Sequence, residues 1–201
     1  AVACEDDDPL ELFLQYVSHV DDEHLDVIRH PSLSQRQVQN WWDHWSDVYG
    51  YEYEDIEDVI SAYFSDELFE RTGAGEADPR SGVAPDVAFA HAISQSGWFQ
   101  ADVRTEDHNF AGVISRYDQD VYETYDSIEA GVRGHFMALY DYSEEGHETW
   151  PELISAWVGD GGAYWEEVVG AVYGSMLAGS PDTEVELDGY VAPWDTEGND
   201  Q

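Results

Sequence analysis

Most of the residues that support chemistry in this chain are ruled out by where they fall. Eight histidines are scattered, with no HExxH run and no close pair beside a carboxylate, so no transition-metal site is expected. Asp118, Asp120 and Asp126 lack the glycine that an EF-hand loop requires at its sixth position. No nucleophile-elbow motif anchors a Ser-His-Asp arrangement. Cys4 is the single cysteine, so no intrachain disulfide can form. The aromatic residues are the other distinctive set, above all Trp41-Trp42-Asp43-His44-Trp45. Core or interhelical packing is the ordinary reading of that run, and a platform for stacking sugars is the sharper alternative.

These residues must be positioned by helices, because apolar residues recur mostly at three- and four-residue spacing. Pro9 suits a first helical turn, and Leu10, Phe13, Leu14, Val17 and Val20 predict an amphipathic helix. Leu25, Val27 and Ile28 add a short turn before Pro31. Ser34 is a cap for a helix running through Val38, Trp41, Trp42, Trp45 and Val48, and Ile56 to Phe64 predicts another. The clearest break is Thr72 to Gly75 with Pro79, Ser81 and Gly82. An apolar helix from Val87 to Ile93 then ends at Gly97, followed by a polar, irregular stretch to Asn109. Val113, Ile114, Val121 and Tyr122 predict short strands or an irregular hairpin. Ser127 caps a helix through Phe136 and Leu139, Trp150-Pro151 starts another, and Tyr164 to Leu177 is the last. Val185, Leu187 and Val191 read as an extended segment in a tail rich in Pro, Gly and acid. The division expected is an N-terminal helical region (1–78), a second domain (79–180) and an acidic C-terminal tail (181–201). The fold class is mainly α.

Composition sets the environment. Forty-five acidic residues face seven basic ones, all arginine, for a formal charge of −38. Eight Trp, 13 Tyr and 7 Phe are far too many for a disordered acidic chain, so the chain folds. Such a charge repels itself at low ionic strength, whereas at molar salt the Debye length shrinks to ~3 Å and the repulsion is screened. Because the acid is spread through every segment, we read the chain as halophilic. Phosphate binding needs clustered Lys or Arg, and no window holds such a cluster, so nucleic acid is not an expected partner. No stretch reaches the ~18 consecutive apolar residues of a membrane span, so membrane insertion is not expected either. Val2-Ala3-Cys4 has the flavour of a lipoprotein cleavage site without an apolar stretch before it, and a plain N-terminal arm is the expectation.

Four separated pieces carry a resemblance. Ser81 to Trp98 ends in Gln95-Ser96-Gly97-Trp98, and His108-Asn109-Phe110-Ala111-Gly112-Val113 follows. Tyr125-Asp126-Ser127-Ile128-Glu129-Ala130-Gly131-Val132 with His135 and Phe136 is the third, and Trp157 to Val169, containing Tyr164, is the fourth. In this order they resemble the glucosaminidase family, the lysozyme-like domain of bacterial cell-wall autolysins and of some phage and flagellar muramidases. The resemblance implies a lysozyme-like domain with a small irregular hairpin and an N-terminal helical extension. It implies glycoside hydrolysis, in which a carboxylic acid protonates the leaving oxygen. The family's helix ends in a Glu-Ser-Gly-Trp-like turn, so the position of its acid is held here by Gln95.

Glutamine keeps the size of that acid and can hydrogen-bond a sugar oxygen, but it has no proton to give. A catalytically degenerate domain that binds an N-acetylhexosamine-type glycan is the leading expectation. An enzyme drawing its acid from Asp102, Glu106 or Asp107 is the alternative, and a structural component of a haloarchaeal virus particle or cell envelope is a third. Trp98 and Phe99 are candidates to wall a saccharide subsite, Tyr164 is a candidate cleft aromatic, and Asn109 is expected to fix its loop and touch ligand. No cofactor and no metal are expected. The partners implied are a glycan or glycoprotein, with envelope or virion assembly partners on the third reading. The resemblance favours the cell surface, the extracellular medium or a virion over the cytoplasm.

Overall fold

The computed structural model describes residues 13–65, 82–159 and 163–179, apart from Arg116 and Gln119 and the side chain of Val103. Cys4 and the expected tail segment around Val185, Leu187 and Val191 lie outside the described residues. Seven α-helices lie wholly within the described residues, in order: α1 Gln35–Tyr49, α2 Ile56–Tyr63, α3 Pro85–Ser96, α4 Asp102–Thr105, α5 Ile128–Glu144, α6 Trp150–Val158 and α7 Gly170–Ala178. A π-helical turn, Trp165–Val169, leads into α7. The architecture is mainly α, as the sequence predicts. No described helix is long and apolar enough to cross a membrane.

Local chemistry accounts for the helix ends. The Ser34 side chain accepts from the Gln37 N–H while the Gln37 side chain accepts from the Ser34 N–H, closing a capping box at α1. The Ser127 hydroxyl accepts from the Ala130 N–H at 3.1 Å, starting α5. Trp150-Pro151 starts α6, with Pro inside the first turn where no N–H is needed. α1, α3 and α6 end on glycines with left-handed backbone: Gly50, Gly97 and Gly159.

The helix expected over Leu10–Val20 changes type in its described part: Phe13 is α-helical and Leu14–His19 is a 3-10 helix. Its buried residues are Phe13, Tyr16 and His19, spaced by three, which is the repeat of a 3-10 turn; Leu14 is exposed. The segment lies on α7, where a Cβ at Gly174 would collide with the Tyr16 carbonyl.

α3 sits at the centre. Every residue from Pro85 to Ile93 is buried, and the surrounding core takes side chains from both sides of the undescribed 66–81 segment. Trp41, Trp42 and Trp45 belong to that core, consistent with the packing reading of the tryptophan run. Several polar links tie residues before 66 to those after 81, and two of them are buried side-chain links to α7 and α3. Trp41 Nε1 donates to the Ser175 hydroxyl at 3.0 Å. The buried Asp86 carboxylate accepts from the Ser32 N–H (2.8 Å), the Leu33 N–H (3.2 Å) and the Tyr173 hydroxyl (2.9 Å), with Arg29 Nη2 at 3.5 Å. A charge this deep is tolerated only when so many donors face it.

Candidate functional site

The site is built outward from the end of α3. Gly97, Trp98 and Phe99 have φ of 56°, 60° and 58°, three successive left-handed residues. Only the first is free of the Cβ penalty, which costs roughly 1–2 kcal/mol for each of the others. The turn is held by hydrogen bonds from the Trp98 N–H to the Ile93 carbonyl (2.9 Å) and from the Phe99 N–H to the Ser96 hydroxyl (3.0 Å). Aromatic packing offsets the rest of the strain. Trp98 stacks on Trp41 with centroids 5.3 Å apart and on Phe13 at 5.7 Å, with Tyr51 at 5.4 Å and Trp42 at 5.9 Å. Phe99 stacks on Tyr53 at 5.4 Å and meets Phe110 edge-on at 5.6 Å. The aromatics that receive the turn are thus largely supplied by residues 13–53. Trp98 is half-buried and Phe99 is buried.

Gln95 lies in the last turn of α3, half-buried, and its side chain makes no hydrogen bond to another described residue. Asp102 and Glu106 are exposed, and Asp107 is half-buried with its carbonyl accepting from the Tyr125 N–H at 2.9 Å. No hydrogen bond joins any of these three carboxylates to Gln95 among the described residues. Tyr164 is half-buried against the core, immediately before the π-helical turn.

Asn109 holds the loop that follows. Its side-chain N–H groups donate to the Val113 carbonyl (2.9 Å) and the Glu123 carbonyl (2.8 Å), and its oxygen accepts from the Val113 N–H at 2.8 Å. These bonds clamp the base of an irregular hairpin in which Ile114 pairs with Tyr122. Asn109 is 1% exposed, so its amide serves the hairpin from within. Asn109→Ala takes the partner from the Val113 N–H and the Glu123 carbonyl, while the Val113 carbonyl keeps the Glu123 N–H, and is expected to cost about 1–3 kcal/mol, measured by denaturant unfolding. Faster amide exchange across 113–123 should accompany it.

One turn before Gln95 on the same face of α3, His91 starts a buried polar chain. Its Nδ1 is 3.0 Å from His135 Nε2, and His135 Nδ1 is 2.7 Å from the Tyr63 hydroxyl. Burial, reinforced by Tyr125, pushes the Tyr63 hydroxyl well above its ordinary range, so it remains a donor. Burial pushes His91 down to about 3, and burial with the neighbouring His91 lowers His135 well below its ordinary value. Both rings are neutral. Each neutral ring offers one N–H and one lone pair, so the three groups link into one chain. His91 Nε2 at its end has no hydrogen-bond partner among the described residues and lies beside the Trp157 ring, with centroids 4.9 Å apart at 89°.

Sequence reasoning assigned no role to Asp86, to the His91–His135–Tyr63 chain or to the aromatic bed beneath Trp98. Each is assembled across long sequence separations, and no local spacing announces it. Among the described residues one group has metal-ligand spacing, Asp21, Glu23 and His24, with ligand atoms within 4.8 Å of one another. There His24 Nδ1 already accepts from the Asp21 N–H at 3.0 Å, closing a capping box.

The family model described as glucosaminidase, mannosyl-glycoprotein endo-beta-N-acetylglucosaminidase, matches residues 72–173. No curated protein and no solved structure matches the chain. The matched span covers α3, the left-handed turn, the Asn109-clamped hairpin and α5 through the first turn of α7. The chain belongs to the glucosaminidase family.

Proposed function

We propose that this chain recognises an N-acetylhexosamine-containing glycan at the end of α3 and does not cleave it. The observation that carries this reading is Gln95, an amide at the position where the family resemblance puts the acid. Bond scission needs a proton delivered to the leaving oxygen, and an amide has none to deliver. The loop carboxylates are poor substitutes: Asp102 and Glu106 are exposed, whereas the family's acid works against apolar neighbours. The segments that carry the family resemblance form the left-handed turn and the clamped hairpin and include the aromatic Tyr164, which supports a binding role. A net charge of −38 sets the working medium at high salt.

Titration of an N-acetylglucosamine oligosaccharide at molar salt, beside a reducing-end release assay, tests the reading. Binding without release is the expected result. Tyr164→Ala is expected to weaken binding roughly tenfold, the loss of one aromatic contact of about 1.4 kcal/mol. Trp98→Ala should weaken it as well. Release that disappears in Glu106→Gln or Asp107→Asn would establish the enzymatic alternative instead.

A further inference from the structure

Arg104 occupies an unusual position for a cation in this chain. It lies on α4, just after the left-handed turn, and its backbone carbonyl accepts from the Asn109 N–H at 3.0 Å. Its guanidinium carbon is 4.1 Å from the centroid of the Tyr122 ring. It also lies flush against Gly112: a Cβ there would come within 3.1 Å of Cζ and Nη2 and 3.3 Å of Nη1. Gly112 has φ of +67°, a conformation strained for any other residue, and a side chain there would also press on the guanidinium.

The side chain is therefore held flat, half-buried, between α4 and the hairpin. Yet no carboxylate oxygen lies within 4.0 Å of it among the described residues, and it makes no hydrogen bond to them. Asp102 and Glu106 stand two residues to either side, exposed, and neither pairs with it. With 45 acids to seven arginines, ion pairing would be the default for a partly desolvated guanidinium. Arg29, likewise partly buried, is paired with Asp86.

We propose that Arg104 is the anchor of an oxyanion subsite, taking a carboxylate or sulfate carried by the recognised glycan. The proposal rests on the glycan reading above and narrows its ligand to an acidic saccharide. A planar guanidinium fixed by Tyr122 and Gly112 presents its N–H edge with little freedom left to lose, which suits bidentate oxyanion binding. The medium is compatible. At molar salt the long-range repulsion between a −38 chain and an anion is screened beyond ~3 Å, while a contact pair survives.

The test compares three oligosaccharides at molar salt by calorimetry: neutral N-acetylglucosamine, alternating glucuronate and N-acetylglucosamine, and a sulfated N-acetylglucosamine. Inorganic sulfate followed at the Arg104 side-chain N–H by NMR is the fourth arm. The chain is expected to bind at least one acidic oligosaccharide about tenfold more tightly than the neutral one. The uronate and sulfate arms identify which group it takes. Arg104→Gln should erase the preference and leave neutral binding in place, and Arg104→Lys should restore only part of it. Equal binding of neutral and acidic sugars overturns the subsite while the glycan reading stands, as does a uniform loss in Arg104→Gln, which would make Arg104 a hairpin clip. Sulfate perturbing the Arg104 N–H with no sugar bound by any arm keeps an oxyanion site and removes the glycan reading. Silence in all four arms overturns both.

Discussion

Gln95→Glu is expected to turn the chain into a glycosidase, raising reducing-end release from an N-acetylhexosamine oligosaccharide by about 10²–10⁴-fold. The two side chains have the same shape, so the substitution changes one titratable group and almost nothing in packing. Two features of the position would hold the introduced carboxyl protonated. It stands at the C-terminal end of α3, where the helix dipole opposes negative charge, and it is half-buried. The chain's charge of −38 acts in the same direction. Because the protonated form is the active one, release should fall as pH rises through that elevated value. Hydrolysis also uses a second carboxylate, so Asp107→Asn or Glu106→Gln added to Gln95→Glu should remove the gain at whichever residue plays that part. Unchanged absence of release in a Gln95→Glu variant that still binds sugar would show that position 95 is not the proton-donating position.

What was legible in the sequence follows the range over which each feature is encoded. The caps at Ser34 and Ser127 and the start at Trp150-Pro151 are written within four residues, and the structure has all three. The hairpin was legible from Val113, Ile114, Val121 and Tyr122, and Asn109 was correctly read as bonding loop backbone. The 3-10 turn Leu14–His19 was not legible because apolar residues at helical spacing also serve such a turn, and its close approach to Gly174 lies far along the chain. Trp98 was a candidate sugar wall from its place after Gly97, with core packing as the other reading. Its stacking on Phe13 and Trp41 depends on residues 57 or more positions earlier, which no motif around position 98 contains. Arg104 shows the same limit, since its lack of a carboxylate partner among the described residues is a property of three dimensions in a chain where acids are everywhere.

The buried histidine chain makes acid a specific threat to this fold. Above the ordinary histidine value of ~6.5, His91 and His135 are neutral in the folded and unfolded chain alike, and they contribute nothing to the pH dependence. As pH falls below it, the unfolded chain takes up protons that the folded chain refuses, His91 holding out to about 3 and His135 also far below the ordinary range. Stability is therefore lost on acidification, by about 2 kcal/mol near pH 5 from His91, and His135 adds to the loss in the same direction. His19 and His44, lowered by burial and partly restored by Asp21 and Asp47, push in the same direction. Carboxylates work against this trend, because protonating them relieves the self-repulsion of a −38 chain. A difference between variants separates the two effects. His91→Phe keeps an aromatic ring beside Trp157 and removes one titrating group, although it leaves His135 Nε2 short of a partner. Its unfolding free energy at neutral pH should be lower than that of the parent. Between pH 7 and about pH 5, in urea at molar salt, it should fall by ~2 kcal/mol less. Parallel profiles for the two proteins would mean that His91 takes up its proton without unfolding, and that the Tyr63–His135–His91 chain is open to water.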